Sequence, residues 1–160
     1  MNDLKQRLSA DHEELERQLR ALACAVDAND APSDLHQCWT CFETSLREHL
    51  DAEERTIFPV VASDHRQEVE ALRAEHQLIR QSLAELGLAL ELHTLRKAAV
   101  DELIAFLHQH AARENGSLYD WLDSDQHRHS LRSLRAMFEQ RSHGQGIHGS
   151  EPAGVRSSDT

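Results

Sequence analysis

The chain of 160 residues is poor in several residue types that mark particular classes of protein. It has three cysteines, an odd number that does not suit a disulfide framework, so we expect reduced thiols. Lys and Arg total 17 against 28 Asp and Glu, with no basic cluster, which argues against a nucleic-acid partner. The longest apolar run, residues 57–62, contains Pro59 and is far shorter than the ~20 residues that cross a bilayer, so we expect no membrane span.

Two further scarcities bear on organisation and location. The first residues lack the apolar stretch of a secretory signal, which predicts a cytoplasmic protein. Of the six glycines, four follow residue 142, together with Pro152 and several serines. This composition predicts one folded domain over residues 1–142 and a flexible tail over residues 143–160.

Apolar residues recur at helical spacing in four long stripes. The stripes run over residues 4–26, 35–57, 69–90 and 100–121, and we expect the second helix to end near Pro59 and Ser33 or Asp34 to cap its start. Short connections place successive helices antiparallel, so the sequence predicts an all-α, up-down-up-down four-helix bundle. A shorter amphipathic segment over residues 131–138 predicts an additional C-terminal helix.

Histidine, in contrast, is abundant, with twelve residues. Six polar residues occupy the apolar stripes, where an ordinary bundle carries Leu, Ile or Ala: His12, His49, Glu53, His76, His110 and Glu114. They form a repeat, with an offset of 64 between the first and third stripes and 61 between the second and fourth. Each half has one stripe histidine followed by a helix with His-x-x-x-Glu, which predicts a pseudo-twofold axis.

This spacing suits metal binding. Residues i and i+4 of a helix point off one face, so each His-x-x-x-Glu pair can share an ion, and imidazole with carboxylate suits iron, manganese or zinc. Burying six such groups without a cation costs more than a domain of ~5–15 kcal/mol total stability can offset. We therefore expect two ions, each bound by two histidines, with both glutamates bridging and about two positions open on each ion.

These residues resemble the hemerythrin-like, or HHE cation-binding, family. The resemblance covers residues 3–123 and rests on Asp11-His12, His49-x-x-x-Glu53 with Ile57-Phe58-Pro59, Glu75-His76, and His110-x-x-x-Glu114 with Leu118-Tyr119. It implies a four-helix bundle with a non-haem di-iron centre, two bridging glutamates, four terminal histidines, and an oxo or hydroxo bridge.

The chain departs from the oxygen-carrying members of that family. They have an additional histidine one turn from the third-helix ligand, where this chain has Leu72 and Arg80, and their last motif is longer and ends in Asp. The pattern is closer to hemerythrin-like proteins linked to nitric oxide, peroxide or iron homeostasis. We therefore expect a protein that binds or reacts with O2, NO or peroxide, with catalysis and oligomeric state left open.

Two alternatives remain at this stage. One is an iron-responsive module whose stability follows metal supply and which acts through protein contacts, without catalysis. The other is a metal-free bundle with ordinary histidines.

Several further residues carry secondary expectations. Asp11 and Glu75, each beside a stripe histidine, are candidates to orient an imidazole, and Glu16 and Glu54 are possible extra ligands. Cys38 is expected to pack in the core near Trp39 and Phe42. The aromatic residues Phe58 and Tyr119 are possible linings of the pocket mouth. The other eight histidines are expected on the surface: His36, His65, His93, His108, His127, His129, His143 and His148.

Overall fold

A computed structural model describes residues 2–122, with side chains from residue 6 onward. Every regular element in this range is a helix. They are α1 (Asn2–Ala28), α2 (Pro32–Ala52), a π-helical turn (Glu53–Ile57), α3 (Phe58–Glu91), α4 (Lys97–Gly116) and the short α5 (Leu118–Leu122).

The long helix α3 is bent, because His65 leaves the helical region with φ −130° and ψ 39°. The second rod of the bundle therefore consists of α2, the π turn and the start of α3, and the third rod is the remainder of α3. The α1 helix packs against α2 and α4, and α3 packs against the same two helices. This confirms the predicted all-α four-helix bundle, whereas the predicted helix at 131–138 and tail at 143–160 lie outside the described residues.

Two long helices end in the same way, with a residue in the left-handed region. Asn29 has φ 57°, its N–H donates to Val26, and the N–H of Asp30 donates to Ala25. At the end of α3, His93 has φ 54° and the N–H groups of residues 93 and 94 donate to the carbonyls of residues 90 and 89. This Schellman pattern satisfies the last carbonyls and reverses the chain.

The start and the end of the second rod differ from the sequence expectations. Ala31, not Ser33 or Asp34, is the N-cap of α2, because Pro32 occupies the first turn with its fixed φ. The helix also continues through Pro59 to the bend at His65. Phe58 N–H donates five residues back, to Glu53, so the widened π turn relieves the clash that proline causes in a regular α-helix.

The interior consists of two apolar clusters. The larger lies toward the α1–α2 turn and includes Leu19, Phe42 and Leu83. The smaller lies toward the bend in α3 and includes Leu8, Ile57, Phe58, Leu72 and Tyr119. The polar residues of the stripes lie on all four long helical segments of the bundle, at positions between the residues of the two clusters.

The expectation that Cys38 packs in the core is wrong. Cys38 is exposed, as are Cys24 and Cys41, because the bulkier Trp39 turns into the core at that point of the helix. None of the helices in residues 2–122 has the combined length and apolar character that a membrane span requires.

Candidate metal centre

Helix lengths bring the polar residues to one level of the bundle. His12 lies 16 residues before the end of α1, and His49 lies 17 residues after the start of α2. At 1.5 Å per residue both are ~25 Å from the connecting turn. His76 and His110 are likewise 15 residues before the end of α3 and 13 after the start of α4. The antiparallel helices therefore meet with their histidines side by side.

All six residues singled out from the sequence converge. One group contains His12, His49, Glu53 and Glu114, and the other contains Glu53, His76, His110 and Glu114, each with one donor atom per residue within 4.8 Å of the others. We call these the His12–His49 set and the His76–His110 set. The two sets share both glutamates, which is the arrangement expected for a pair of ions bridged by carboxylates.

The donor atoms are close and shielded from water. Glu53, His76 and Glu114 are fully buried, and His49 and His110 are buried. The Nε2 atoms of His12, His76 and His110 lie 3.1, 3.4 and 3.2 Å from oxygens of Glu114. The Nε2 atoms of His49 and His76 each lie 3.5 Å from an oxygen of Glu53. Imidazole nitrogens and carboxylate oxygens thus face a common volume.

Carboxylates on neighbouring helices hold the far side of two imidazoles. His76 Nδ1 donates to Glu54 at 2.9 Å, and His110 Nδ1 donates to Glu75 at 2.8 Å. Each interaction fixes the tautomer that leaves the Nε2 lone pair facing the site. Asp11 Oδ2 lies 4.0 Å from His49 Nδ1. The acidic residues beside His12 and His76 therefore face the histidine of the following helix, not their own neighbour.

The two residues considered as extra ligands belong to neither donor set. Glu54 contacts the outer nitrogen of His76 and also accepts from Arg80. Glu16 accepts from Arg20 one turn along α1. Of the eight histidines expected on the surface, His93 and His108 are exposed, His36 and His65 are half-buried, and the other four, at positions 127, 129, 143 and 148, lie outside the described residues. His65 stacks on Trp121, with ring centroids 3.6 Å apart.

Tyr119 was expected from the sequence as a possible lining of the pocket mouth, and its contact with a site glutamate was not foreseen. Its side chain is fully buried, and its Oη donates to Glu53 Oε1 at 2.5 Å and lies 3.4 Å from His12 Nε2. The repeat offset of 61 could have drawn attention to it, because Tyr119 corresponds to Phe58. Phe58 stacks on His76 and Tyr119 stacks on His12, so only one half adds a hydroxyl.

Burial and charge separate the pKa values of the two glutamates. Loss of solvent and the nearby charge of Glu114 raise the pKa of Glu53 well above its usual range. Glu114 is also desolvated, but its contacts with the imidazoles of His110, His12 and His76 outweigh this and hold its pKa well below the usual range. The pKa values of two carboxyl groups that share one site separate in this way.

The histidines are also separated in pKa. Desolvation, with repulsion from His12, lowers the pKa of His49 to about 3. Burial opposes the charged form of His110 as well, but the nearby carboxylates of Glu114 and Glu75 raise its pKa. Burial raises the pKa of the Tyr119 hydroxyl well above its usual value, so this group is a hydrogen-bond donor at neutral pH.

Unpartnered atoms show that the donor set fits a cation. Glu53 Oε2 and His110 Nε2 are buried and make no hydrogen bond, although both belong to the converging group. Buried polar atoms are normally satisfied, because an unmade hydrogen bond costs roughly 1–3 kcal/mol. A metal ion at the centre would satisfy both.

The family model of the hemerythrin HHE cation binding domain matches residues 3–122. The chain belongs to the hemerythrin HHE cation-binding family. No curated protein and no solved structure gives a significant match to it. The family match covers all six donors of this hemerythrin-like chain and all but the first of the described residues.

Proposed function

We propose that this hemerythrin-like protein binds two transition-metal ions, with iron as the expected metal, and binds or reacts with O2, NO or peroxide at these ions. The observation that carries the proposal is the pair of donor sets that share Glu53 and Glu114. Nitrogen and oxygen donors without thiolate suit iron, and also manganese or zinc. Bound iron would supply one-electron and oxygen chemistry.

The number of donors supports reaction with small molecules at the ions in addition to binding of the ions. Each set offers two imidazoles and two carboxylates, four donors in all. An octahedral ion would keep about two positions for small molecules. The fully buried glutamates and the apolar clusters on either side keep bulk water away from these positions.

A small cavity beside the donors favours a ligand of a few atoms. It has a volume of about 20 Å³, and its lining includes His12, His49 and His110. The remaining lining is mainly leucine, at positions 15, 46, 50 and 107. Such a volume holds about one water-sized molecule, and an apolar lining suits a diatomic gas.

Tyr119 is positioned to assist at this side of the centre. It holds its proton on Oη, donates to Glu53, and contacts His12, which also lines the cavity. A donor fixed inside a water-excluded site can stabilise negative charge that develops on a ligand.

The test is metal analysis and optical spectroscopy of protein purified without chelators. We expect about two iron or manganese ions per chain, near-ultraviolet charge-transfer absorption of the iron form, and spectral changes on exposure to O2 and NO. The double variant E53Q/E114Q should lose the metal, while E13Q/E102Q, which removes two exposed carboxylates, should keep it. Less than about half an ion per chain, or unchanged metal in E53Q/E114Q, would contradict the proposal.

A peroxide assay separates the two metal-binding alternatives. Turnover by the iron form supports reaction at the centre. Strong stabilisation by metal with no turnover and no spectral response to O2 or NO would instead favour the iron-responsive module.

A further inference from the structure

The two donor sets differ in what holds their histidines from behind. In the His76–His110 set, both outer nitrogens donate to a carboxylate, at 2.9 Å to Glu54 and 2.8 Å to Glu75. In the His12–His49 set, neither outer nitrogen is held in this way. His12 Nδ1 is buried without a hydrogen-bond partner, and His49 Nδ1 lies 4.0 Å from Asp11 Oδ2, beyond hydrogen-bond distance.

Arginines hold the two carboxylates of the His76–His110 set in place. Arg80 donates to Glu54 at 2.7 Å and to Asp51 at 3.0 Å. Arg113 donates to Glu75 and to Glu68, which lies on the same helix as Glu75. Each carboxylate is therefore held in position before a metal arrives, so its histidine is already oriented for binding.

Alignment of the two repeats shows that this difference is already present in the sequence. The counterpart of Glu54 in the other half is Asn115, whose Oδ1 accepts from Ser9 Oγ at 2.6 Å. The counterpart of Arg80 is Glu16, of opposite charge, and the counterpart of Arg113 is Ala52. The His12–His49 set thus lacks counterparts of the carboxylate behind His76 and of both arginines.

We propose that the two ions are held unequally: the His76–His110 set binds first and retains its ion, while the His12–His49 set holds an exchangeable second ion. This inference rests on the proposed function. Carboxylates that orient ligand histidines each contribute about 10–100-fold to metal affinity, and one set has two of them. The second ion should therefore bind at least about 100-fold more weakly. The cavity is lined by both histidines of this set and by His110 of the other, and Tyr119 Oη lies 3.4 Å from His12 Nε2.

The experiment is a titration of metal-free protein with Co²⁺, monitored by calorimetry and by visible absorption, with a competing chelator present. The wild-type chain should show two steps separated by about 100-fold or more. H76Q should lose the tight step, and H12Q should keep the tight step and lose only the weak one. Two steps of equal affinity, or a tight step that survives in H76Q and disappears in H12Q, would overturn the inference.

Glu54 and Glu75 are positioning residues, and their variants test the cause. E54Q and E75Q should each weaken the tight step by about 10–100-fold and shift the visible band of the first Co²⁺ ion. D11N, the same change beside the other set, should alter neither the tight step nor that band. Unchanged binding and band in E54Q and E75Q would refute the assignment, and circular dichroism of each metal-free variant checks folding.

The outcomes separate this inference from the function on which it rests. A wild-type chain that binds no Co²⁺, iron or manganese would refute both the proposed metal centre and the inequality of the two ions. A chain that binds two ions of equal affinity keeps the proposed metal centre and refutes the inequality alone.

Discussion

Glu53 and Glu114 are buried to the same extent, yet replacing each by glutamine should change the metal-free protein in opposite directions. Both side chains are fully buried. Glu53 accepts from Tyr119, but its second oxygen has no partner and its pKa is raised. Glu114 faces three imidazoles and its pKa is lowered.

The magnitude follows from the cost of an uncompensated buried charge. E53Q keeps an oxygen that accepts from Tyr119 and removes the charge, so we expect the metal-free protein to gain about 1–3 kcal/mol at pH 7. Because a raised pKa costs stability only above the unfolded-state value, this gain should shrink as the pH falls toward about 4.5. E114Q removes a favourable carboxylate and should lose about 1–3 kcal/mol.

Urea unfolding of chelator-treated protein, followed by circular dichroism at pH 7 and pH 4.5, measures both variants. With metal present the order reverses, because the wild-type chain gains about 4 kcal/mol at a free metal concentration of 1,000 Kd and E53Q gains much less. E13Q/E102Q is the control for loss of surface charge. A metal-free E53Q that is less stable than the wild-type chain at pH 7 would refute the argument.

Four further predictions follow from single side chains. Y119F removes the hydroxyl donated to Glu53 and should cost the metal-free protein about 1–3 kcal/mol in urea unfolding, whereas equal stability would show that the bond contributes nothing. The stability difference between the wild-type chain and H49Q should fall below pH ~6.5, by up to about 1.4 kcal/mol per pH unit, because the folded state keeps His49 neutral. The difference for H110Q should have the opposite sign, fully present below pH ~6.5 and lost as the pH rises through the raised pKa, and parallel curves would contradict both assignments. L83A should cost about 2–5 kcal/mol by cavity formation yet leave the metal stoichiometry unchanged, and lost metal would connect that core position to the centre.

Periodicity alone was sufficient for much of the fold. Amphipathic stripes fix which face of each helix is buried, and short connections fix antiparallel order, so the bundle followed from sequence. The path at Pro59 did not, because propensity describes a regular helix and the π turn before it changes the local geometry. Cys38 was misplaced for a related reason: neighbouring positions compete for the core, and Trp39 occupies it.

The sequence by itself determined which six side chains meet, because the doubled His plus His-x-x-x-Glu pattern sets their faces and the helix lengths set their level. Only the tertiary structure decided how they are supported. It placed Glu75 behind His110, left His12 without a partner and directed the Tyr119 hydroxyl onto Glu53. Such contacts join residues on different helices, and their distances depend on how the helices pack, which a one-dimensional pattern does not contain.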